Sequence, residues 1–177
     1  EARLQPVVVD LDAFTVQNVY ETAYGPPPAK DTIVLIHVGA SLTTVNILAD
    51  GTTAFTRDIA NGGNAITDEI QRQLGISREE AEAYKCGGSP ADDGNRPGMV
   101  PQQVVAVIEA VTDSIAAEIQ RSLDFFMATS GENEIAHIYL TGGTANLVAL
   151  AQAIERRARV AVSAWAPTEG VSVEREV

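Results

Sequence analysis

Cysteine is nearly absent from the sequence, which has only Cys86 among its 177 residues. A single thiol cannot form a disulfide within the chain, so the sequence does not belong to the class of small secreted domains that disulfides stabilise. A reducing, cytosolic compartment is therefore expected. No cationic segment followed by an apolar run and a small-residue cleavage site opens the sequence, so no signal peptide is predicted.

Basic residues are also scarce, with 12 lysines and arginines against 24 aspartates and glutamates and a formal net charge of −12. Nucleic-acid binding needs clustered cations that displace counterions from phosphates, so we predict no nucleic-acid partner. The one basic cluster, Arg156, Arg157 and Arg159, ends a predicted helix, where it would complement the helix dipole. The longest uncharged runs, 32–49 and 138–154, are interrupted by polar residues, so no direct membrane insertion is predicted.

Apolar residues nevertheless make up 45% of the sequence, which is typical of a folded domain. The almost continuous apolar run 32–39 predicts a strand covered on both faces. Strands at 41–48 and 52–59, joined by a turn at Asp50-Gly51, would extend it into three adjacent antiparallel strands. The other predicted strands lie at 4–10, 135–141 and 160–162. Helices are predicted at 12–24, at 63–74 after a tight corner at Gly62-Gly63, at 77–85 with a capping box of Ser77 and Glu80, from Pro101 to Phe126, and from an N-cap at Thr144 through Ile154. This order predicts a layered α/β domain, with a mobile surface loop at 86–98.

Two glycine-containing turns could bring backbone amides close to an anion. The first, His37–Thr43, connects two predicted strands, and its amides and hydroxyls could bind phosphate oxygens. A hairpin built from small residues would have the same sequence. The second, Leu140–Thr144, leads from a buried strand to a predicted helix N-terminus, where a phosphate or a purine could lie across the glycines. A tight turn without a ligand shows this pattern as well.

Considered together, these motifs resemble those of a known superfamily. The segment 37–45 resembles the second phosphate loop of the actin-like ATPases, and 138–150 resembles their adenosine motif. Further segments narrow the resemblance to the PilM family of pilus assembly proteins, relatives of the cell-division protein FtsA. These segments are 9–14, 62–74, 79–85 and 118–126. The resemblance covers nearly the whole chain and implies an α/β fold of the actin-like (ribonuclease H-like) type, a mixed sheet with flanking helices.

The resemblance also implies a set of ATP contacts. These are Gly39, Ser41 and Thr43 at the β- and γ-phosphates, Glu82 and Lys85 at the ribose and adenine, and Gly142, Gly143 and Thr144 under the adenosine and α-phosphate. The Glu-x-x-Lys spacing equally fits a solvated ion-pairing face of a helix. Gln17 falls where the superfamily often places a residue that orients the attacking water, although a plain surface glutamine fits this position too.

Two departures from the family pattern bear on ATP and Mg²⁺, the cofactors that the resemblance implies. Most members begin the second phosphate loop with aspartate, whereas this chain has His37, and a neutral imidazole offers neither the charge nor the oxygen that Mg²⁺ prefers. Slow or absent ATP hydrolysis is therefore expected. No metal site is predicted from His37 and His137, which lie far apart in sequence.

The second departure is the first phosphate loop, an Asp-x-Gly hairpin that is missing from this sequence. Residues 1–30 are therefore expected to end a first actin-like domain, with 31–177 forming much of the second. The chain would then be part of a two-domain fold. Because the missing loop would remove charge-assisted hydrogen bonds that supply most of the phosphate affinity, we expect this chain alone to bind ATP weakly.

The function implied by the resemblance is that of a cytoplasmic scaffold in the type IV pilus machine, peripheral to the inner membrane. Its partner would be the cytoplasmic N-terminal segment of PilN, and a ring of subunits would couple PilN to the motor with ATP as a structural ligand. An active ATPase or phosphotransferase of the same fold is an alternative. An FtsA-like division protein is another, but it would need a C-terminal amphipathic helix, which 166–177 does not encode.

Overall fold

The computed structural model describes residues 5, 7–88, 100–131 and 134–166. Most of the predicted loop at 86–98 and nearly all of the tail at 166–177 lie outside the described residues. In chain order the elements are α1 (Asp12–Tyr24), β1 (Thr32–Val38), β2 (Thr43–Ala49), β3 (Thr52–Ile59), α2 (Gly63–Leu74), α3 (Arg78–Lys85), α4 (Gln102–Ser130), β4 (His137–Thr141), a 3-10 turn (Gly143–Asn146), α5 (Val148–Ala158) and β5 (Val162–Ala164).

The strands form one mixed sheet in the order β3-β2-β1-β4-β5. β2 is antiparallel to both β1 and β3, which confirms the three predicted antiparallel strands, and β4 is parallel to both β1 and β5. His37 near the end of β1 is level with Thr141 at the end of β4. Because parallel strands end at the same edge of a sheet, the glycine turns that follow β1 and β4 begin side by side.

Both faces of the sheet are covered, as the apolar sequence of β1 predicts. Every residue of β1 except His37 is buried. Val34, Ile36 and Val38 belong to a large core that includes residues of α4 and α5. The alternate residues Ile33 and Leu35 pack on the opposite face with an aromatic cluster that includes Tyr20 of α1. Since side chains alternate along a strand, each residue of β1 can be assigned to one of these two layers.

A third apolar cluster fixes the helices beyond the sheet. Ile66 and Ile70 of α2 pack with Ala81 of α3 and with Val104 and Val107 of α4. The capping box predicted for α3 is present, with Ser77 and Glu80 exchanging side-chain and backbone hydrogen bonds. The first residue of α3 is therefore fixed, and with it the direction in which each side chain of this helix points.

The predicted strand at 4–10 is not formed by residues 7–10, which pair with no other described strand. Val7, Val8 and Val9 are 92%, 79% and 93% exposed. A β-branched run becomes a strand only where a partner supplies hydrogen bonds and apolar surface, and the described residues bring none to this segment. α1 itself packs on the sheet, and the predicted domain boundary at residue 30 remains a prediction.

Two further sequence predictions are corrected after β4. Thr144 is not the N-cap of a helix, because it lies inside the 3-10 turn Gly143–Asn146 and α5 begins only at Val148. The last strand lies at Val162–Ala164 rather than at 160–162. Arg159 ends α5 in the left-handed conformation, so the chain needs the next two residues to turn back towards β4.

None of the described helices is both long enough and apolar enough to cross a membrane.

Candidate functional site

The two glycine turns meet at the backbone carbonyl of Gly39. This oxygen accepts a hydrogen bond from the Thr144 hydroxyl at 3.2 Å and another from the Gly63 amide at 2.9 Å. The Asn64 amide donates to the neighbouring carbonyl of Ala40 at 2.7 Å. The turn after β1, the start of α2 and the turn after β4 are therefore joined at one point, although they are far apart in sequence.

Three glycines at this junction, Gly62, Gly63 and Gly142, cannot carry a side chain without a structural change, and a Cβ on Gly62 would lie 2.6 Å from the Gly39 carbonyl oxygen. Gly142 has φ +97°, and a Cβ there would overlap the carbonyl oxygen of Val38 and lie 2.8 Å from its carbonyl carbon. A Cβ on Gly63 would lie 2.5 Å from Thr144 Oγ1. The close approach of three backbone segments therefore depends on these glycines, whose backbone also tolerates positive φ.

Helix α3 places an ion pair beside the junction. Lys85 Nζ lies 2.7 Å from both carboxylate oxygens of Glu82, and its side chain is 12% exposed. The Thr67 hydroxyl donates to Glu82 Oε2 at 2.6 Å, and Lys85 Nζ donates to Thr67 Oγ1 at 3.1 Å. Partial burial opposes ionisation of Glu82, but the hydrogen bonds from Lys85 and Thr67 outweigh it, so its pKa is lowered. Glu82 is therefore a charged acceptor held in a fixed position.

These elements enclose a cavity of about 550 Å³, within the size range of small-molecule sites. It is open at one side, and it combines backbone of the two turns with the ion pair and an apolar wall at the start of α5. The residues lining it are Gly39, Ala40, Glu82, Lys85, Cys86, Gly87, Gly143, Thr144, Asn146, Leu147 and Val148.

The cavity brings together five of the residues predicted to contact ATP: Gly39, Glu82, Lys85, Gly143 and Thr144. Gly142 lines an adjacent cavity, which shares Gly143 and Asn146 with the first.

Ser41 and Thr43 are placed differently. Ser41 is exposed next to the junction and accepts a hydrogen bond from Asn64 Nδ2 at 3.0 Å. Thr43 is fully buried in β2 and donates its hydroxyl to the Asn61 carbonyl at 2.8 Å. Because this hydroxyl already has an acceptor, Thr43 is left out of the site that we propose.

Gln17 does not line the cavity. Its amide oxygen accepts from the Thr53 hydroxyl at 2.7 Å, and its amide nitrogen donates to Glu21 at 2.8 Å. Thr53 is level with Leu48, towards the end of β2 that is opposite to the glycine turns. This placement gives no support for a water-orienting role at the cavity, and Gln17 is also left out of the proposed site.

Several residues of the site were not predicted. Thr67 fixes the Glu82–Lys85 pair from α2, and Leu147 and Val148 form the apolar wall. A threonine within an amphipathic helix gives no signal of its own in sequence. The doublet Gly62-Gly63 did indicate a tight corner, but not that the corner abuts Thr144.

The described residues of the site do not form a cluster that could hold a metal ion. Among residues 5, 7–88, 100–131 and 134–166, no three His, Cys, Asp or Glu side chains are grouped so that they could hold a metal ion. The residue next to the end of β1 is His37 and not a carboxylate. Among the described residues, the only carboxylate lining the cavity is Glu82, which is paired with Lys85. The side chains present therefore do not fit a protein-held Mg²⁺.

Comparisons with known proteins agree with the fold. A chain of the PilM-PilN type IV pilus biogenesis complex superposes with a TM-score of 0.77 at 24% identity, covering 98% of this chain and 46% of that chain. MreB5 of Spiroplasma citri bound to AMPPNP superposes with a TM-score of 0.62 at 14% identity, covering 84% of this chain and 52% of that chain. These likenesses confirm the predicted actin-like fold, and this chain covers about half the length of each of these neighbours.

Sequence comparisons point in the same direction. Cell division protein FtsA of Rhizobium meliloti (strain 1021) is 28% identical over an alignment of 144 residues that covers 68% of this chain and 31% of that protein. The chain thus spans from a third to a half of the length of these relatives. The family model described as type IV pilus assembly protein PilM matches residues 1–177. This chain therefore belongs to the type IV pilus assembly protein PilM family.

Proposed function

We propose that this chain holds the adenosine end of ATP in a scaffold protein of type IV pilus assembly. The observation that carries the proposal is the shared cavity, in which both glycine turns and the Glu82–Lys85 pair meet. The sequence separates these three features widely, and only the fold brings them to one place. MreB5, which has the same fold, is described as bound to AMPPNP.

The residues of the cavity fit the chemistry of a nucleotide. The Glu82 carboxylate is an ionised acceptor for the ribose hydroxyls, and the Lys85 ammonium group beside it would donate to the ribose or the adenine. The apolar surface of Leu147 and the flat backbone at Gly143 would accommodate the adenine ring. The turn at Gly39 would receive the phosphates with its backbone amides.

ATP is proposed to serve as a structural ligand that is hydrolysed slowly. Position 37, near the end of β1 and next to the turn proposed to receive the phosphates, is occupied by a histidine and not by a carboxylate. Any Mg²⁺ that accompanies ATP would be held by phosphate and water oxygens. The binding free energy of ATP would stabilise the folded protein by mass action whether or not ATP is hydrolysed.

In the whole protein, this nucleotide-binding part would belong to a cytoplasmic scaffold that is peripheral to the inner membrane. The proposed partner is the cytoplasmic N-terminal segment of PilN, and a ring of subunits would couple it to the pilus motor. Family membership supports the pilus role. The solved complex that this chain resembles contains both PilM and PilN.

The ATP part is tested by calorimetric titration of the full-length protein with ATP. Replacing Lys85 with alanine is expected to weaken ATP binding by about ten- to a hundredfold, the range for loss of one charge-assisted hydrogen bond. Arg72→Ala is a matched control, because Arg72 also pairs with a glutamate three residues earlier, Glu69, but lines no part of the cavity. Equal ATP affinity in the Lys85 variant and the control would contradict the proposed site.

The partner part is tested separately by co-purification with a tagged peptide of the PilN cytoplasmic segment. We expect the full-length protein to retain this peptide, and a scrambled peptide of the same composition to be lost. Failure to retain the PilN peptide, with ATP binding intact, would remove the pilus scaffold from the proposal and leave only a nucleotide-binding protein.

A further inference from the structure

Strand β3 forms one edge of the sheet, and its outer side pairs with no other strand among the described residues. It has eight residues, whereas β5 at the opposite edge has three. Proteins often protect a strand edge with proline, lysine or a very short strand, and β3 has none of these. Its pairing with β2 is irregular between Ile47 and Leu48, but residues 55–59 are in regular register. This regular part of β3 can accept a further strand.

Two phenylalanines lie beside this edge on the face of the sheet that α4 covers. Phe55 is level with Ile47 of β2, which belongs to the large core. Its ring centroid is 5.9 Å from that of Phe125 on α4. Phe125 is nevertheless 57% exposed. The two rings therefore form an apolar ridge along the open edge, where an added strand would cover them.

Arg57 lies on the same face as this ridge, because it is level with Val45 of the same core. It is exposed, and its guanidinium has no ion-pair partner in the part of the chain that the structure describes. A guanidinium binds well over the face of an aromatic ring. The edge therefore presents an unpaired cation and an exposed aromatic surface on one strand.

We propose that β3 pairs with β3 of a second copy of this chain, antiparallel and about a two-fold axis at Thr56. In this register, Arg57 of each copy lies directly opposite Phe55 of the other. Opposite residues of an antiparallel pair share a face and have Cβ atoms about 4.5–5.5 Å apart. Each guanidinium would thus reach the aromatic ridge of the other copy, and the two Thr56 side chains would meet at the axis, a favourable cross-strand pair.

A second copy fits this edge better than an unrelated strand, because β3 itself carries both the cation and the rings that the contact joins. The chain has a formal net charge of −12, so two copies repel each other over most of their surfaces. Within β3, however, the charges of Arg57 and Asp58 cancel, and the strand can approach its own copy. A two-fold contact closes as a dimer, so this interface is separate from any contact that would link a ring, and it does not depend on the nucleotide site.

The natural full-length protein provides the first test. Sedimentation velocity over a concentration series is expected to show a mass that rises from monomer to dimer. Hydrogen exchange at the β3 amides should become slower as the dimer forms, and exchange at the β5 amides should not change. A mass that stays monomeric up to about 1 mM would overturn the proposal and leave the edge to a strand of a different protein. A dimer without slower exchange in β3 would overturn it as well.

Two variants with matched controls test the register. Thr56→Lys places two cations opposite each other at the axis and should abolish the dimer, whereas Ala164→Lys, at an exposed position of the opposite edge strand, should dimerise as the natural protein does. Arg57→Gln removes two cation–π contacts from each dimer and should raise the Kd of the dimer by about tenfold. Arg156→Gln, at an exposed arginine of α5, should leave this Kd unchanged. Dimerisation that is equal in each variant and its control would contradict the proposed interface.

Discussion

Replacing Gly142 with alanine is expected to destabilise the fold strongly, although it adds only one methyl group. The residue has φ +97°, and the added Cβ would overlap the backbone of Val38 on the adjacent strand. Backbone in the middle of a sheet cannot move aside as the end of a flexible side chain can. The methyl group must therefore displace either the turn or strand β1, and with them the Gly39 turn that lies next to β4.

The size of the effect follows from two contributions. A left-handed backbone conformation costs a non-glycine residue about 1–2 kcal/mol. Overlap with well-packed neighbours costs about 1–3 kcal/mol. The sum of about 2–5 kcal/mol is a large part of the 5–15 kcal/mol that is typical of a whole domain, and it corresponds to a loss of roughly 4–20 °C in Tm for a chain of this size.

Urea unfolding followed by circular dichroism measures this difference, with Gly143→Ala as the control. Gly143 is the next residue in the same turn, but its φ is not positive and a Cβ there meets no atom within 4 Å. Its replacement is expected to change the free energy of unfolding by less than about 0.5 kcal/mol. If the two variants lose stability equally, or if Gly142→Ala is as stable as the natural protein, the close approach of β1 and β4 described above is wrong.

Three further predictions concern the site and the helix next to it. Cys86, the single thiol of this chain, is exposed at the cavity wall, so saturating ATP is expected to slow its alkylation by a thiol reagent, and an unchanged rate would place ATP elsewhere. The pKa of Glu82 is lowered in the folded state, so ionised Glu82 stabilises the fold above its unfolded-state pKa, and this stabilisation is lost as the pH falls through its folded-state pKa. The stability difference between the natural protein and Glu82→Gln should therefore shrink below about pH 4. A difference that stays constant with pH would contradict this. Ser77→Ala removes the capping box of α3 and should lower the free energy of unfolding in urea by about 0.5–2 kcal/mol. The control Ser114→Ala, at an exposed helical position, should stay within about 0.5 kcal/mol of the natural protein. Equal effects of the two substitutions would argue against the cap.

The elements that could be predicted from sequence are those with local signals. The turn at Asp50-Gly51 has two residues with positive φ, as a two-residue hairpin loop requires, and the strands on either side follow the predicted pattern. The start of α3 was predicted from Ser77 and Glu80, which contact each other across one helical turn. In both places the residues that determine the structure lie within four positions of one another.

The parts that could not be predicted depend on contacts between distant segments. Thr144 was expected to cap a helix, but its hydroxyl donates to a carbonyl that is 105 residues away in sequence. The hydroxyl of Thr43 is taken by an acceptor that is 18 residues away. Gln17 is bound by Thr53 over a separation of 36 residues. The hydrogen-bond partner of a polar side chain depends on which groups the fold brings near it, so a local motif alone does not predict that partner.

The carbonyl oxygen of Gly39, which accepts two hydrogen bonds, determines how the cavity can open. One wall belongs to the α2–α3 pair and the other to the β4–α5 connection, and each is attached to the same oxygen atom. Separating the walls therefore costs a hydrogen bond on whichever side moves. Native-state hydrogen exchange at the Gly63 amide would report the frequency of this opening, and slower exchange in the presence of ligand would measure how far an occupant closes the protein.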